Sequence, residues 1–310
     1  MDELTWRPYE PSDVPALTRL INDIEGASGG THPLTADQVR TFSGELRDPA
    51  ADSRSVLTPD GVLVGYGWVA APPAGGHRID VWGGVHPDWR GRGIGRRLLG
   101  WQLERAAARY RAAGPVPAWE VHASAMVDDT TATALFERLG MVSTRYWFAM
   151  DRATANPPVI GAPAGLAVDG YDPARELDVH AAHVEAFADH WGWQARSFGE
   201  WAPITVHSKG FRPDLSFGAH DGAEVAGYLL SYATAEAGTF DIGHVGVRRP
   251  WRRRGLARAL LSRALLAGRD AGLATATLGV DAGSPTGAVG VYEAVGFQVA
   301  SRAVTYVTKL

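Results

Sequence analysis

The chain has 310 residues, 45% of them apolar, which is enough for one large core or for two domains of ordinary size. Its formal net charge is −4, whereas nucleic-acid-binding domains usually carry a basic excess, so the composition argues against nucleic acid as a partner. The absence of cysteine excludes disulfides, thiolate metal sites and a cysteine nucleophile.

Neither a targeting segment nor a membrane span is expected. The N-terminal segment MDELTWRPYE has no basic stretch followed by an apolar core, so it does not read as a signal peptide. No uninterrupted apolar run approaches the ~18 residues of a membrane helix. We therefore expect a soluble cytoplasmic protein without a membrane partner.

The N-terminal half contains two segments that occur again downstream. VHPDWRGRGIGRRLLG at 85–100 matches VRRPWRRRGLARALLS at 247–262, with Val85 and Val247 lying 162 residues apart. ALFERLGM at 134–141 resembles GVYEAVGF at 290–297 at a similar offset. Two segments repeated in the same order predict duplication of a whole domain.

Between the two copies lies ANPPVIGAPAG, residues 155–165, with three prolines and two glycines. This composition suits an extended connector better than a helix or a central strand. We therefore predict domains at 1–152 and 165–310, joined by a linker at 153–164.

The C-terminal half alternates strand and helix patterns, and the N-terminal half gives the same order with weaker first helices. The predicted strands are 166–171, 215–220, 225–232, 239–247, 276–280 and 298–305. The predicted helices are 176–187, 197–206, 256–271 and 287–295. The sequence thus predicts an α+β (mixed α/β) domain that is used twice.

The strand at 239–247 has an irregular apolar pattern. Phe240 and Ile242 alternate, as do Val245 and Val247, but the two pairs are three residues apart and would face opposite sides of a regular strand. A β-bulge near Gly243 would restore one face and free backbone N–H groups. The alternative is a strand buried on both faces.

A loop rich in arginine follows this strand, with five arginines in the seven residues 248–254, and Gly255 then opens a helix. Glycine permits close approach of the backbone, and the first N–H groups of a helix bind phosphate. The loop could hold a phosphorylated ligand, bind nucleic acid or be a solvated helix end. No G-x-x-x-x-G-K-[ST] loop occurs, and the dinucleotide fingerprint is poor in both halves.

Arg90-x-x-Gly93-x-Gly95 and Arg252-x-x-Gly255-x-Ala257 resemble the R/Q-x-x-G-x-G/A motif of the GNAT acetyltransferase superfamily. Phe136 with Gly140, and Tyr292 with Gly296, resemble the other recurrent signature of that family. The resemblance covers both halves. It implies tandem GNAT-like domains, each with a mixed, mostly antiparallel central sheet flanked by helices. It also implies N-acyl transfer from acetyl-CoA or another acyl-CoA as co-substrate.

The resemblance further implies that the loops cradle the pyrophosphate of coenzyme A. The implied residues in the second half are Val245, Val247, Arg252, Arg253, Arg254, Gly255, Leu256, Ala257, Arg258 and Ser284. Those in the first half are Val85, Arg90, Gly91, Arg92, Gly93, Ile94, Gly95 and Arg96.

Two residues of the second half match positions to which the family assigns proton transfer. An acidic residue on the fourth strand, here Asp241, often serves as base, and a tyrosine in the late helix, here Tyr292, as acid. The offset of 162 places Ile79 opposite Asp241, with Asp80 on the other side of a regular strand, and Phe136 stands opposite Tyr292. We therefore expect a catalytic second domain and a degenerate first one.

The acceptor in this family often contacts the loop between the first two helices. Asp189, His190, Trp191 and Trp193 fall there, and His244 on the irregular strand is a competing base. The ten histidines show no metal-ligand spacing such as H-E-x-x-H, so no metal is expected.

We expect a small-molecule amine as acceptor and a monomer in which the two copies form an internal pseudo-dimer. The two-domain layout is similar to that of the mycothiol synthases, which acetylate an amino-sugar–cysteine conjugate. It also occurs in acyltransferases that act on antibiotics and other small amines, and the sequence does not choose among them. A non-catalytic acyl-CoA-binding or sensing protein is the alternative.

Overall fold

The computed structural model describes residues 4–31, 33–73, 76–114 and 118–310. They form two compact units. Unit 1 is the described part of 1–146 together with Arg302–Leu310, and unit 2 is Trp147–Ser301.

The first half of the chain carries six strands and five helices among its described residues. In chain order they are β1 (Thr5–Arg7), α1 (Val14–Ala27), α2 (Ala36–Ser43), α3 (Pro49–Asp52), β2 (Ser53–Leu57), β3 (Leu63–Ala70), β4 (Arg78–Val85), α4 (Ile94–Ala112), β5 (Glu120–Met126), α5 (Thr130–Arg138) and β6 (Val142–Ala153).

The second half repeats this order closely. Its elements are β7 (Ala167–Gly170), α6 (Glu176–Phe187), α7 (Phe198–Trp201), β8 (Phe217–Asp221), β9 (Glu224–Ala233), β10 (Thr239–Val247), α8 (Leu256–Asp270), β11 (Thr275–Asp281), α9 (Ala288–Glu293) and β12 (Gln298–Lys309). Helix α6 and strand β10 begin and end where the sequence predicted. The helix predicted at 197–206 is shorter: it is α-helical only at Phe198–Trp201 and continues as a short 3-10 turn.

Each unit contains a mixed sheet. In unit 1, strands β1 to β5 lie in chain order, and in unit 2 the strands β7 to β11 do the same. Only β4 with β5 and β10 with β11 are parallel among the strand pairs of these two sets. The predicted fold class, a mostly antiparallel sheet flanked by helices, is confirmed.

The last strand of each sheet comes from the other half of the chain. The end of β6 pairs antiparallel with β11 in unit 2, from Trp147 opposite Asp281 to Ala153 opposite Thr275. The end of β12 pairs with β5 in unit 1. The compact units therefore differ from the predicted domains 1–152 and 165–310, because a strand pattern does not reveal which neighbour the strand joins.

Both faces of the unit 2 sheet are covered. One face packs on α8, whose buried stripe includes Leu256, Leu260 and Leu265, and the other packs on α6 and α7. Gly268 permits the close contact between α8 and β10, since a Cβ atom there would lie 2.4 Å from the ring of Phe240. Unit 1 has the same layers, with α1 and α2 on one face and α4 on the other.

The predicted linker is irregular and packs along α8. The hydroxyl of Ser262 donates to the carbonyl of Pro158 at 2.6 Å and accepts from the N–H of Ile160 at 3.0 Å. These bonds hold the connector against unit 2, to which it belongs.

Candidate active site

A loop with left-handed residues precedes each long helix. Gly255, with φ of +88°, caps α8, and Arg253 two residues earlier has φ of +62°. The first loop repeats this with Gly93 at +80° and Gly91 at +76°. In α8 the first backbone bond runs from the N–H of Ala259 to the carbonyl of Gly255, so the N–H groups in between are directed ahead of the helix. Such N–H groups are a binding site for an anion.

A cleft of about 890 Å³ opens in unit 2 beside this loop, where β10 and β11 separate. The pairing of the two strands ends at Asp241 opposite Thr277, and the cleft begins with the next residue, Ile242. The cleft is lined by most of the residues predicted to bind the co-substrate: Val245, Val247, Arg252, Arg253, Gly255, Leu256, Ala257, Arg258 and Ser284. Arg254 is not among the lining residues, and it donates to the carbonyl of Ala164 at 3.2 Å.

Arg252 is engaged within unit 2. Its guanidinium donates to the carbonyls of Val247 and Ala186, each at 3.1 Å, and to the carboxylate of Asp189 at 2.9 Å. These contacts tie the loop to the strand before it and to the end of α6. Arg252 also lines the cleft, and its contact with the co-substrate stays a prediction.

Two other arginines of the run are also paired. Arg248 donates to Glu185 at 2.6 Å, and Arg249 donates to Asp189 at 2.6 Å. Arg253 and Arg258 line the cleft and make no hydrogen bond or ion pair with any residue that the structure describes. Three of the five arginines of the run are therefore paired with acidic side chains, and of the remaining two Arg253 lines the cleft and Arg254 does not.

The bulge predicted in β10 is confirmed. Against β9, the register shifts between Ile242, opposite Ser231, and His244, opposite Leu230, so Gly243 is the extra residue. The apolar side chains of β10 on both sides of the shift, Phe240, Ile242, Val245 and Val247, pack in one cluster. The bulge thus restores a single apolar face and interrupts the backbone ladder beside the cleft.

Asp241 and Tyr292 lie at different parts of this site. Asp241 precedes the bulge and accepts a hydrogen bond from the hydroxyl of Thr277 at 3.0 Å. Strand alternation directs Asp241 away from the face of Ile242 that packs on α8. Tyr292, on α9, lines the cleft, and burial raises its pKa to about 12. A protonated phenol is therefore held in the cleft across the neutral pH range.

The predicted acceptor residues do not form one pocket. Asp189 is bound by Arg249 and Arg252, and these hydrogen bonds lower its pKa to about 2. Asp189 lines the cleft with its carboxylate paired to the arginine loop, and its contact with an acceptor stays a prediction. His190 lines the cleft and its ring stacks on Trp147 at 5.7 Å between centroids.

The two predicted tryptophans contact different neighbours. The ring centroid of Trp191 lies 6.2 Å from that of Trp147. The ring centroid of Trp193 lies 5.3 Å from that of His183 and 6.1 Å from that of Phe187. Neither is among the residues that line the cleft. The two tryptophans therefore do not wall one common pocket.

A buried polar network on the α6 side of β10 was not predicted. The ring of His183 shares a hydrogen bond of 2.5 Å with the hydroxyl of Tyr228, and His244 shares one of 3.1 Å with the hydroxyl of Tyr232. The two imidazoles meet edge to face at 5.4 Å. Alternation of Tyr228 and Tyr232 along β9 was the available signal, but tyrosines on a buried strand face ordinarily indicate packing.

Burial changes the titration of this network. It lowers the pKa of His183 to about 3 and that of His244 to about 4, and it raises the pKa of Tyr228 and Tyr232. Both imidazoles are therefore neutral at physiological pH. His244, the competing base of the sequence analysis, holds its Nδ1 atom against Tyr232.

Unit 1 contains a matching cleft of about 880 Å³ where β4 and β5 separate. Its lining includes Phe136 and the predicted residues Val85, Arg90, Gly91, Gly93, Ile94, Gly95 and Arg96. Arg92 is outside the lining and lies over the ring of Trp89 at 4.3 Å. The loop and the cleft are thus present twice.

The strand of the unit 1 cleft is regular. β3 and β4 pair without a shift in register, so no residue of β4 corresponds to Gly243. In unit 1, Asp80 of β4 follows the buried Ile79 and pairs with His122 of β5. In unit 2, Asp241 of β10 follows the buried Phe240 and pairs with Thr277 of β11. This corrects the assignment of Ile79 as the counterpart of Asp241, because the bulge adds a residue that the fixed offset did not allow for. The true counterpart is Asp80.

Asp80 nevertheless differs from Asp241 in its surroundings. Arg78 binds the carboxylate of Asp80 through Nε and Nη2, at distances from 2.7 to 3.0 Å. Asp129, which lines the unit 1 cleft, accepts from the hydroxyl of Ser28 at 2.8 Å and pairs with Arg90 at 3.2 Å. Asp80 and Asp129 are thus each paired within unit 1, whereas burial raises the pKa of Glu25, which lines this cleft.

Among the described residues no group of three or more His, Asp or Glu side chains is arranged to hold a metal ion. No helix in the described ranges is both long and apolar enough to cross a membrane.

Comparison with known proteins agrees with the duplicated loop and cleft. Residues 178–297 match the Acetyltransferase (GNAT) family and residues 52–141 match an Acetyltransferase (GNAT) domain. A mycothiol acetyltransferase of Salinispora arenicola is 31% identical, over 96% of this chain and 93% of its own length. The chain belongs to the GNAT acetyltransferase family. It contains two GNAT domains in tandem.

Other similar proteins share this organisation. A mycothiol acetyltransferase of Thermobispora bispora is 31% identical over 93% of both chains. A GCN5-related N-acetyltransferase from Sphaerobacter thermophilus has a TM-score of 0.81 and 30% identity, covering 100% of this chain and 96% of its own. A tandem GNAT protein from the clavulanic acid biosynthesis pathway, with a TM-score of 0.74 and 20% identity over 99% of this chain and 98% of its own, shares the fold.

Proposed function

We propose that this acetyltransferase moves the acyl group of acetyl-CoA, or another acyl-CoA, directly to the amine of a small molecule, and that the reaction takes place in unit 2. The observation that supports this most is the bulge of β10 beside a cleft that also holds the hydroxyl of Tyr292. Unit 1 has the cleft without the bulge and without that hydroxyl.

The unit 2 cleft suits an acyl-CoA in shape and charge. The N–H groups ahead of α8, with the unpaired Arg253 and Arg258, would hold the pyrophosphate. The separated edges of β10 and β11 leave room for the pantetheine arm, with Val245 and Val247 in the lining. Gly255 permits this approach, because its φ of +88° is unfavourable for any residue with a side chain.

Three groups of unit 2 would carry the chemistry. Backbone N–H groups at the bulge around Gly243 would donate to the thioester oxygen as it gains charge. Tyr292 would donate its proton to the departing thiolate. Asp241 would accept the amine proton, through a water molecule, from the other side of β10. No covalent bond to the enzyme is needed, so positioning supplies much of the remaining rate.

Unit 1 is proposed to be catalytically degenerate. Its cleft lacks an interrupted strand to supply N–H donors, Phe136 has no proton to give, and Asp80 is bound by Arg78. Its loop retains the geometry of an anion site, so unit 1 remains able to hold a second acyl-CoA as a structural ligand.

The acceptor is proposed to be a small amine that approaches from the α6 side of β10. The relatives' name, mycothiol acetyltransferase, makes an amino-sugar–cysteine conjugate the first acceptor to test. We further propose that the protein works as a monomer, since one chain already contains both domains. We also propose that it acts in the cytoplasm and binds no nucleic acid.

The experiment is a thiol-release screen with acetyl-CoA against a panel of amines that includes an amino-sugar–cysteine conjugate. We expect stoichiometric free CoA and an acetylated amine in mass spectra. An acyl-CoA-binding protein without enzymatic activity would instead bind acetyl-CoA in a calorimeter and release no thiol with any amine. That result would overturn the proposed function.

A further inference from the structure

The two glycines of β10 that line the unit 2 cleft are covered by tyrosines. A Cβ atom on Gly243 would lie 2.5 Å from the ring of Tyr232, and one on Gly246 would lie 2.4 Å from the ring of Tyr228. Both rings project from β9 and occupy the space that side chains of β10 would fill. The backbone around the bulge is therefore supported on its α6 side by aromatic rings.

Each supporting tyrosine is fixed by a histidine. Tyr232 shares a hydrogen bond of 3.1 Å with Nδ1 of His244, and Tyr228 shares one of 2.5 Å with Nδ1 of His183. His244 is itself the first residue after the bulge. The Tyr232–His244 bond therefore ties the far side of the bulge to the neighbouring strand β9.

The same register positions of unit 1 lack this pair. In unit 2, Tyr232 of β9 is the residue opposite Asp241. In unit 1, the residue opposite Asp80 is Ala70 of β3. Trp82, two residues after Asp80, occupies the place of His244 and packs on Trp68 and Phe42. The tyrosine–histidine pair thus accompanies the bulge and is absent from the regular strand.

We propose that Tyr232 and His244 are positioning residues, which hold the bulge of β10 so that its released N–H groups point at the thioester oxygen. The proposal rests on the proposed function of unit 2 and adds residues outside the cleft lining. It assigns Tyr232 as the donor to Nδ1 of His244, so that Nε2 carries the ring proton and the neutral imidazole has no free lone pair with which to act as the base.

Three variants separate positioning from base catalysis. Tyr232→Phe keeps the ring over Gly243 but removes the hydroxyl. His244→Phe removes Nδ1, whereas His244→Asn places an amide oxygen near the same point and can accept from Tyr232. Tyr306→Phe is the matched control, because it removes a hydroxyl that donates to Glu137 at 3.0 Å in unit 1.

The proposal predicts that Tyr232→Phe and His244→Phe each lower kcat about 10-fold or more, since small misplacements of oxyanion donors are costly. The KM for acyl-CoA should change less than about 2-fold, because the pyrophosphate loop is intact. The double variant should be no slower than either single variant. His244→Asn should retain most of the turnover, and Tyr306→Phe should match the wild type.

A base role for His244 gives the opposite pattern. His244→Asn would then be as inactive as His244→Phe, while Tyr232→Phe would remain near the wild-type rate, and either result overturns the proposal. Amide hydrogen exchange of residues 242–247 provides a test that needs no turnover. It should accelerate in Tyr232→Phe and His244→Phe but not in His244→Asn, and equal exchange in all three variants would also overturn the proposal.

Such exchange data also distinguish this proposal from the proposed function. If the wild type releases no thiol with any amine, the proposed acetyl transfer fails, but the bulge can still be shown to depend on Tyr232 and His244. If turnover is present and neither the exchange nor kcat responds to the variants, the positioning role alone fails.

Discussion

Asp80 and Asp241 hold equivalent register positions in their sheets. They are 161 residues apart in the sequence, whereas Val85 and Val247, which mark the repeat, are 162 residues apart. The missing residue is Gly243, which forms the bulge of β10 and has no counterpart in β4. Arg78 binds Asp80 through two nitrogen atoms, whereas Asp241 accepts from the hydroxyl of Thr277. A single insertion thus separates a regular strand from one whose backbone ladder is interrupted beside the cleft.

The equivalence of the two carboxylates gives a matched pair of variants. Asp241→Asn should lower turnover most near neutral pH, with partial recovery at higher pH as the free amine accumulates. Asp80→Asn should leave turnover within about 2-fold, because Asp80 is proposed to take no part in the reaction. A pH–rate profile for the two variants checks this, and a greater loss in Asp80→Asn would assign the chemistry to unit 1.

Tyr292 and Phe136 offer a reciprocal exchange. Tyr292→Phe removes one hydroxyl and should slow turnover by ~10²–10⁴-fold without changing folding or acyl-CoA affinity. Phe136→Tyr adds the hydroxyl to the unit 1 cleft and should bring no gain in rate, since the bulge is still lacking there. Steady-state kinetics with calorimetry measure both, and wild-type turnover in Tyr292→Phe would remove this tyrosine from the mechanism.

Acid should destabilise unit 2 through its buried histidines. The folded pKa values of about 3 for His183 and about 4 for His244 lie below the ordinary value near 6.5. The unfolded chain therefore binds more protons between these limits, and stability falls as the pH drops from about 6.5 towards about 4. We expect a loss on the order of 2 kcal/mol for each of the two imidazoles between pH 6.5 and 4.5.

Denaturant unfolding followed as a function of pH measures this loss. The variant His183→Gln with His244→Asn should be less stable at pH 7 but should show a flatter profile between pH 6.5 and 4.5. A wild-type profile that is already flat in this range would contradict the placement of the two imidazoles.

Local patterns in the sequence were sufficient for much of the fold. The bounds of α6 and β10, the duplication and the bulge near Gly243 could all be predicted, since each follows from apolar periodicity or repetition. The exchange of β6 and β12 could not be predicted, because the alternation along a strand specifies its faces and not its neighbours.

The site could be predicted only in part for a related reason. Gly255 and Tyr292 line the cleft as expected, because a motif fixes their place on α8 and α9. The pairing of Asp189 with Arg252, and of His244 with Tyr232, joins residues that are distant in the chain. No local signal identifies such partners, so the commitment of the Asp189 carboxylate to the arginine loop could not be predicted from the sequence.

The exchange of strands has a consequence for stability. Met150 of β6 is fully buried in the core of unit 2, so Met150→Ala should cost ~2–5 kcal/mol of unfolding free energy. Val142, at the start of the same strand, is 66% exposed, and Val142→Ala should cost little. Hydrogen exchange should accelerate in β11 but not in β5 in the Met150 variant, and the reverse would contradict the assignment of this strand end to unit 2.

The most direct test of the division between the units is the turnover of Gly93→Val beside Gly255→Val in folded protein. Both substitutions place a side chain at a glycine with positive φ ahead of a long helix, and Gly272→Val, at φ of +75° beyond the other end of α8, controls for backbone strain. With saturating amine and acetyl-CoA, thiol release should be abolished in Gly255→Val and should persist in Gly93→Val and Gly272→Val. Loss of turnover in Gly93→Val with activity retained in Gly255→Val would show that the reaction takes place in unit 1.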